Sequence, residues 1–125
     1  MSSKHLELGR KGEIAAVVFL KNKGYKIISI GYRTPLGQID IIARERNTIC
    51  FIEVKSRSSA RFGAPEEAVD AAKQKKISMT ALFFLKSNRL LESSARFDVV
   101  SIYCTDNKPR IELIRDAFPL DSAYL

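Results

Sequence analysis

Three β-patterned segments lie within 32 residues of this chain, and they constrain its fold more than any other feature. Tyr25 to Tyr32 is rich in Ile and Tyr. Gly37 to Arg44 follows the turn Pro35-Leu36-Gly37, and Thr48 to Ser56 follows a turn around Arg46-Asn47. Links this short join antiparallel neighbours, because a parallel crossover needs about a dozen residues or more. A three-strand meander is therefore the expected centre of the fold.

The flanking segments read as helices and further strands. His5 to Lys23 has a helical pattern whose centre, Ile14 to Leu20, is apolar on every side, which predicts burial. Gly24 marks its end, and Lys21 and Lys23 suit the negative helix terminus. Ser56 to Ala64 reads as a polar loop carrying Arg57 and Arg61. Pro65, Glu66 and Glu67 suit the first turn of a second helix that runs to about Leu91, with a break near Lys75. Val69, Ala72, Ile77, Ala81, Phe84 and Leu85 fit its buried face. Arg96 to Cys104 and Arg110 to Ile114 are the last two strands, either side of a turn at Asp106-Asn107-Lys108-Pro109. The order αβββαββ predicts a single α/β domain over residues 1–125, with one mixed sheet flanked by helices.

Charge narrows the range of partners. The 21 Lys plus Arg outnumber the 14 Asp plus Glu by seven. Residues 1–61 hold 12 basic and 5 acidic side chains, whereas residues 62–125 hold 9 of each, so the whole excess lies in the first half. Such a field favours an anionic partner, nucleic acid foremost. The longest apolar run is seven residues, far short of the roughly 20 that cross a bilayer. No signal-peptide core follows Met1, so the expectation is a cytoplasmic protein with reduced cysteines and no membrane partner. Cys50 and Cys104 read as small buried hydrophobes. The single histidine, His5, leaves little room for His-clustered metal sites or a Ser–His–Asp relay.

Within the meander, charges stand where core strands seldom carry them. Asp40 is enclosed by Ile39, Ile41, Ile42 and Ala43. The third strand runs Ile49-Cys50-Phe51-Ile52-Glu53-Val54-Lys55. Alternation sets Phe51, Glu53 and Lys55 on one face, with about 7 Å from Glu53 to Lys55 along it, and a hairpin brings Asp40 across from them. A carboxylate in apolar surroundings is costly unless it is paired or bound to a cation. Two readings follow. One is an ion pair of Asp40 or Glu53 with Lys55 at a solvated sheet end. The other is a half-shell of hard oxygens, from Asp40, Glu53 and the Val54 carbonyl, suited to Mg²⁺ or Mn²⁺. With Lys55 beside it, such a site has the parts for phosphodiester hydrolysis without a histidine. Arg57 and Arg61, in a basic loop after the strand, are placed to grip a nucleic-acid backbone. Lys73, Lys75 and Lys76 read as a solvated helix face that can also meet phosphates. Arg96 and Asp98 read as a structural ion pair.

An acid in the first helix, then Asp40, then Glu53-Val54-Lys55 resembles the PD-(D/E)xK nuclease superfamily, with its restriction-endonuclease-like fold and its Holliday-junction resolvases. Gly12-Glu13-Ile14-Ala15-Ala16, Gly37-Gln38-Ile39-Asp40-Ile41-Ile42-Ala43 and Phe51-Ile52-Glu53-Val54-Lys55-Ser56-Arg57 are similar to the YraN-like family of small bacterial proteins. So are Phe62 to Val69, Arg96 to Val100 and Asp116-Ala117-Phe118. The resemblance implies a metal-dependent nuclease acting on DNA, branched or single-stranded, by structure rather than by sequence. It implies Asp40 and Glu53 as ligands of Mg²⁺ or Mn²⁺, Lys55 as the catalytic lysine and Glu13 as the helix-borne acid that completes or supports the site. Gln74 falls where related nucleases carry a Gln or Lys. Gln38 replaces a Glu usual in the YraN-like pattern, which removes one negative charge from the expected Asp40 face. By analogy with the resolvases, a homodimer is expected. The alternative is a non-catalytic nucleic-acid-binding module on the same fold.

Overall fold

The computed structural model of the chain describes residues 3–57, 70–105 and 108–119. Helix α1 (Ser3–Asn22) leads into strands β1 (Lys26–Thr34), β2 (Gly37–Glu45) and β3 (Thr48–Arg57). Helix α2 (Ala71–Ser87) then precedes β4 (Ser94–Thr105) and β5 (Lys108–Phe118). The five strands form one sheet in sequence order. The meander pairs antiparallel as its short turns require, β4 runs parallel to β3, and β5 returns antiparallel to β4. The expected α/β architecture, αβββαββ with a mixed sheet and two helices, is the one observed.

Strand alternation sorts the apolar side chains into two cores. Ile42, Ile49, Phe51, Phe97 and Val99 pack under α2 against Ile77, Ala81, Phe84 and Leu85. Phe97 stacks on Phe118 with ring centroids 4.6 Å apart, which ties β5 into this core. Ile41, Ala43, Cys50, Ile52, Val100 and Ile102 pack on the other side against Ala16 and Leu20 of α1. Cys50 is fully buried, as expected, and burial pushes its thiol up to about 12. The side chain of Cys104 lies outside the described residues.

Both helices depart from the sequence reading. The apolar centre of α1 is buried on one side only: Ile14 is 65% and Val18 55% exposed. A single sheet face covers a single helical stripe. The α1 terminus is as expected. Gly24 takes φ +95°, and the Tyr25 and Gly24 N–H groups donate to Leu20 and Lys21, closing the last turn.

The described part of α2 begins after Asp70, whose carboxylate accepts the Lys73 N–H at 2.8 Å, and the helix runs unbroken through Lys75. Pro65, Glu66, Glu67 and Val69 lie outside the described residues, and Ala72 is exposed rather than buried. The helix stops at Ser87, short of the expected Leu91. Arg89 adopts φ +57°, and the Leu90 N–H donates back to Leu85 at 2.7 Å. The turn folds Leu90 onto the α2 core, and that contact outweighs the helical preference of the residues beyond. No helix among the described residues is long and apolar enough to cross a membrane.

Candidate functional site

The site forms where β2 parts from β3. Their pairing runs from Glu45↔Thr48 to Ile41↔Ile52 and ends there. One residue further, the Asp40 carboxylate replaces a backbone acceptor: its Oδ2 takes the Val54 N–H at 2.9 Å. The substitution interrupts the side-chain alternation. Ile39 packs into the α2 core, whereas Ile41, two residues on, packs into the α1 core. Asp40 occupies the irregular step between them, beside Glu53 of β3.

Glu53 is 7% exposed, a carboxylate in the floor beneath α2. Its direct partner is the Lys73 ammonium, carried by the first turn of α2. Burial raises the Glu53 pKa, and the nearby Asp40 charge raises it further. Lys73 and Lys55 pull the other way, and the balance stands at about 7. Burial lowers the Lys55 pKa, as does the neighbouring Lys73 charge. Burial is the largest influence on Lys73 and works against its charge, but the hydrogen bond and charge of Glu53, with Lys55 and Asp40 beside them, together outweigh that cost and its pKa rises. Two acids and two amines thus share one poorly solvated corner.

Glu13 approaches this corner from α1. Its pKa is raised by partial burial and then by the Asp40 charge. Gly12 makes the approach possible, because a Cβ there would stand 2.2 Å from the Ser56 hydroxyl of β3. No three Asp, Glu, His or Cys side chains among the described residues group as a ready-made metal cluster. Asp40 lies close enough to both Glu53 and Glu13 for its charge to raise the pKa of each.

The remaining expected residues fall in three places. Gln74 is half-buried on α2, next to Lys73, and Lys76 is exposed one turn further along. The side chain of Arg57 and the whole of Arg61 lie outside the described residues. Gln38 is exposed, and its Oε1 accepts from Arg33 Nε of β1 at 3.0 Å.

Two residues were not singled out for the parts they take here. Lys73 is an internal ion-pair partner instead of part of a solvated face. The signal for this was the capping spacing of Asp70 and Lys73, which fixes the phase of the first turn. Ser101 pairs with Lys55 in the parallel β3–β4 register. Its hydroxyl is buried and has no hydrogen-bond partner among the described residues. Nothing in the local sequence around Ser101 marks it.

A second charged group, at the opposite end of the sheet, is structural. Asp98 is fully buried, and it accepts from Arg96 Nε at 3.0 Å, the Asp116 N–H at 2.9 Å and the Tyr25 hydroxyl at 3.1 Å. Glu45 bridges Arg96 and Arg115, and that pairing holds its pKa down to about 2. Every carboxylate of this group is satisfied, which fits the structural ion pair expected of Arg96 and Asp98.

Relatives cover this architecture almost end to end. A UPF0102 protein of Desulforapulum autotrophicum is 47% identical over 121 residues, covering 97% of this chain and 100% of the relative. A UPF0102 protein of Syntrophus aciditrophicus is also 47% identical, over 118 residues, with 94% and 93% covered. One of Geobacter metallireducens is 46% identical over 120 residues, with 96% and 98% covered. Residues 12–102, from the glycine that seats α1 to the middle of β4, match the model of the uncharacterised protein family UPF0102. With relatives this similar over this much of its length, the chain belongs to the UPF0102 family.

Proposed function

We propose that this protein is a metal-dependent nuclease that hydrolyses phosphodiester bonds in DNA, with Asp40, Glu53 and Lys55 as its catalytic centre. The observation that carries this reading is the junction of β2 and β3, where Asp40 abandons the ladder to stand beside a buried glutamate and a lysine. A buried acid whose pKa is pushed up to about 7, beside a second acid and a lysine, is the kind of cluster that functional sites gather, and it supports this reading.

The donor set fits Mg²⁺ or Mn²⁺. Asp40 and Glu53 supply carboxylate oxygens. In an extended strand a residue's N–H and C=O leave on the same side, so the Val54 carbonyl faces Asp40 as its N–H does. Mg²⁺ commonly rests on one or two carboxylates and keeps water in its other positions, so a third acid is not required. Glu13 then acts from beside Asp40, favouring retention of the cation. Bound there, a divalent ion would neutralise phosphate charge and make a bound water more acidic.

The chain's own residues do the rest. A water oxygen bonds to phosphorus, Lys55 Nζ takes the proton that the water loses, and the P–O ester bond breaks with its electron pair on the leaving oxygen. That oxygen then takes a proton from solvent. The lowered pKa of Lys55 suits a proton acceptor. Lys76, exposed on α2, with Gln74 and the basic residues Arg57, which ends β3, and Arg61 after it, would contact the phosphate backbone, giving affinity without base readout.

The test is cleavage of labelled four-way-junction, flap and single-stranded DNA, with RNA as comparison, in Mg²⁺ or Mn²⁺. Asp40→Ala and Lys55→Ala are expected to lower the rate by 100-fold or more, on the order of one lost general base or ligand. Equal rates in these variants would sink the proposed centre. A second reading, a nucleic-acid-binding module without catalysis, draws on the Lys73–Glu53 pair, which balances the corner without any metal. It predicts salt-sensitive DNA binding and no cleavage in either metal.

A further inference from the structure

The pairing within the acidic corner is uneven. Glu53 bonds to Lys73, which reaches across from α2, and not to Lys55, two residues along its own strand. With Asp40 and Glu53 ionised and both amines protonated these four charges cancel, and Glu13 beside Asp40 adds no positive charge, so no surplus positive charge would draw in a phosphate anion. A divalent ion on Asp40 and Glu53 changes that sum. Lys73 then becomes surplus, and its positive charge is free to meet an anion.

We propose that Lys73 is the resident cation of this site: it holds Glu53 until a divalent ion takes that carboxylate, and it then meets a phosphate oxygen of the incoming nucleic acid. The inference rests on the metal-binding reading above. Three features make the exchange feasible. The Lys73 side chain is 38% exposed, against 8% for Glu53, so the amine can swing toward solvent while the acid stays in the floor. Its stem has four rotatable carbons, so the swing needs no backbone movement. The helix start is held separately, by the Asp70 carboxylate on the Lys73 N–H. The exchange also solves a folding problem. Without a counter-ion, two adjacent acids in a poorly solvated corner would repel as the chain folds, and Lys73 supplies one from within the chain.

Metal and ammonium therefore compete for one carboxylate, and their effects are reciprocal. Mn²⁺ binding is measured by titration calorimetry at pH 8.5, where Glu53 is ionised, on the wild type, Lys73→Gln and Lys86→Gln. Lys86, in the last turn of α2, controls for the loss of one positive charge at a distance. Lys73→Gln is expected to bind Mn²⁺ about tenfold more tightly than wild type, the scale of one close charge pair. Lys86→Gln is expected to change that affinity less than about twofold, because an exposed distant charge is screened.

The second measurement is anisotropy of a phosphorothioate-linked single-stranded oligonucleotide, with and without Mn²⁺. The gain in affinity that Mn²⁺ gives the wild type is expected to shrink severalfold in Lys73→Gln. Mn²⁺ affinity unchanged or weakened in Lys73→Gln overturns the exchange and leaves the metal site standing. An equal gain in both proteins overturns the phosphate contact. If the wild type takes up no Mn²⁺ at all, the metal reading falls and this inference falls with it. Metal-free thermal melting shows whether Lys73→Gln is folded, and Lys73→Arg, which keeps the charge, is expected to restore wild-type Mn²⁺ affinity.

Discussion

Glu53 is the residue through which burial, charge and chemistry are coupled. Its carboxyl is nearly out of solvent and its pKa stands at about 7 against an ordinary 4.5. A raised acid stabilises the fold while it is protonated. That contribution is fully present below about pH 4.5 and is lost as pH rises through about 7. The span corresponds to something on the order of 3 kcal/mol at most, from 1.36 kcal/mol per pKa unit. Glu53→Gln removes the titration and keeps an acceptor for Lys73, which is exposed enough to turn away. Urea unfolding of both proteins at pH 5 and pH 8, without divalent ions, should show Glu53→Gln gaining on the wild type by one to a few kcal/mol between the two pH values. A constant difference would mean that Glu53 is not a strained acid. The identities of Asp40, Glu53 and Lys55 as a group were legible in the sequence, because charges inside apolar strands stand out. What could not be read was how they pair. That depends on Asp40 leaving the ladder and on the phase of α2, and neither follows from alternation along one strand.

At the scale of elements, the α1–β3 contact decides where Glu13 stands. Gly12 permits that contact because a side chain there would collide with the Ser56 hydroxyl, while Ser56 Cβ would remain at an ordinary 3.6 Å. Gly12→Ala is therefore expected to lower stability by about 1–3 kcal/mol, the usual range for an overpacked contact, even though Ala is the better helix former. Adding Ser56→Ala removes the colliding oxygen and should recover most of the loss. Thermal melting of the two single variants and the double variant measures the coupling, and strictly additive effects would show that the two positions do not meet. Most of the element pattern could be read in advance: turns two residues long leave few alternatives for β1, β2 and β3. The ends of α2 could not. Its C-terminus is set by Leu90 docking into the core and by Arg89 accepting a left-handed conformation, a tertiary contact outweighing local helical preference. The exposed side of α1 shows the complementary limit, since an all-round apolar pattern does not reveal that one sheet face covers one stripe.

The whole molecule carries a net charge of +7, all of it from residues 1–61, the same stretch that supplies Glu13, Asp40, Glu53 and Lys55. A basic half around a small acidic corner can draw in a polyanion at long range while keeping a cation at the centre. The two scales separate experimentally through salt. Phosphate contacts release condensed counterions, so affinity for single-stranded DNA falls with a log–log slope of about −0.7 per contact. Three or more contacts would cost at least about tenfold between 50 and 200 mM salt. The protein is expected to show that loss by anisotropy, with little preference among unrelated sequences of equal length, since backbone contacts carry no base information. Asp40→Ala should keep the slope, because it removes no cation from the phosphate-binding surface, even as it ends cleavage. A flat salt dependence would mean that the basic half does not engage phosphates, and would count against both the nuclease reading and its non-catalytic alternative. A steep dependence with cleavage abolished only in Asp40→Ala would separate the long-range field, which gathers the strand, from the acidic corner that acts on it.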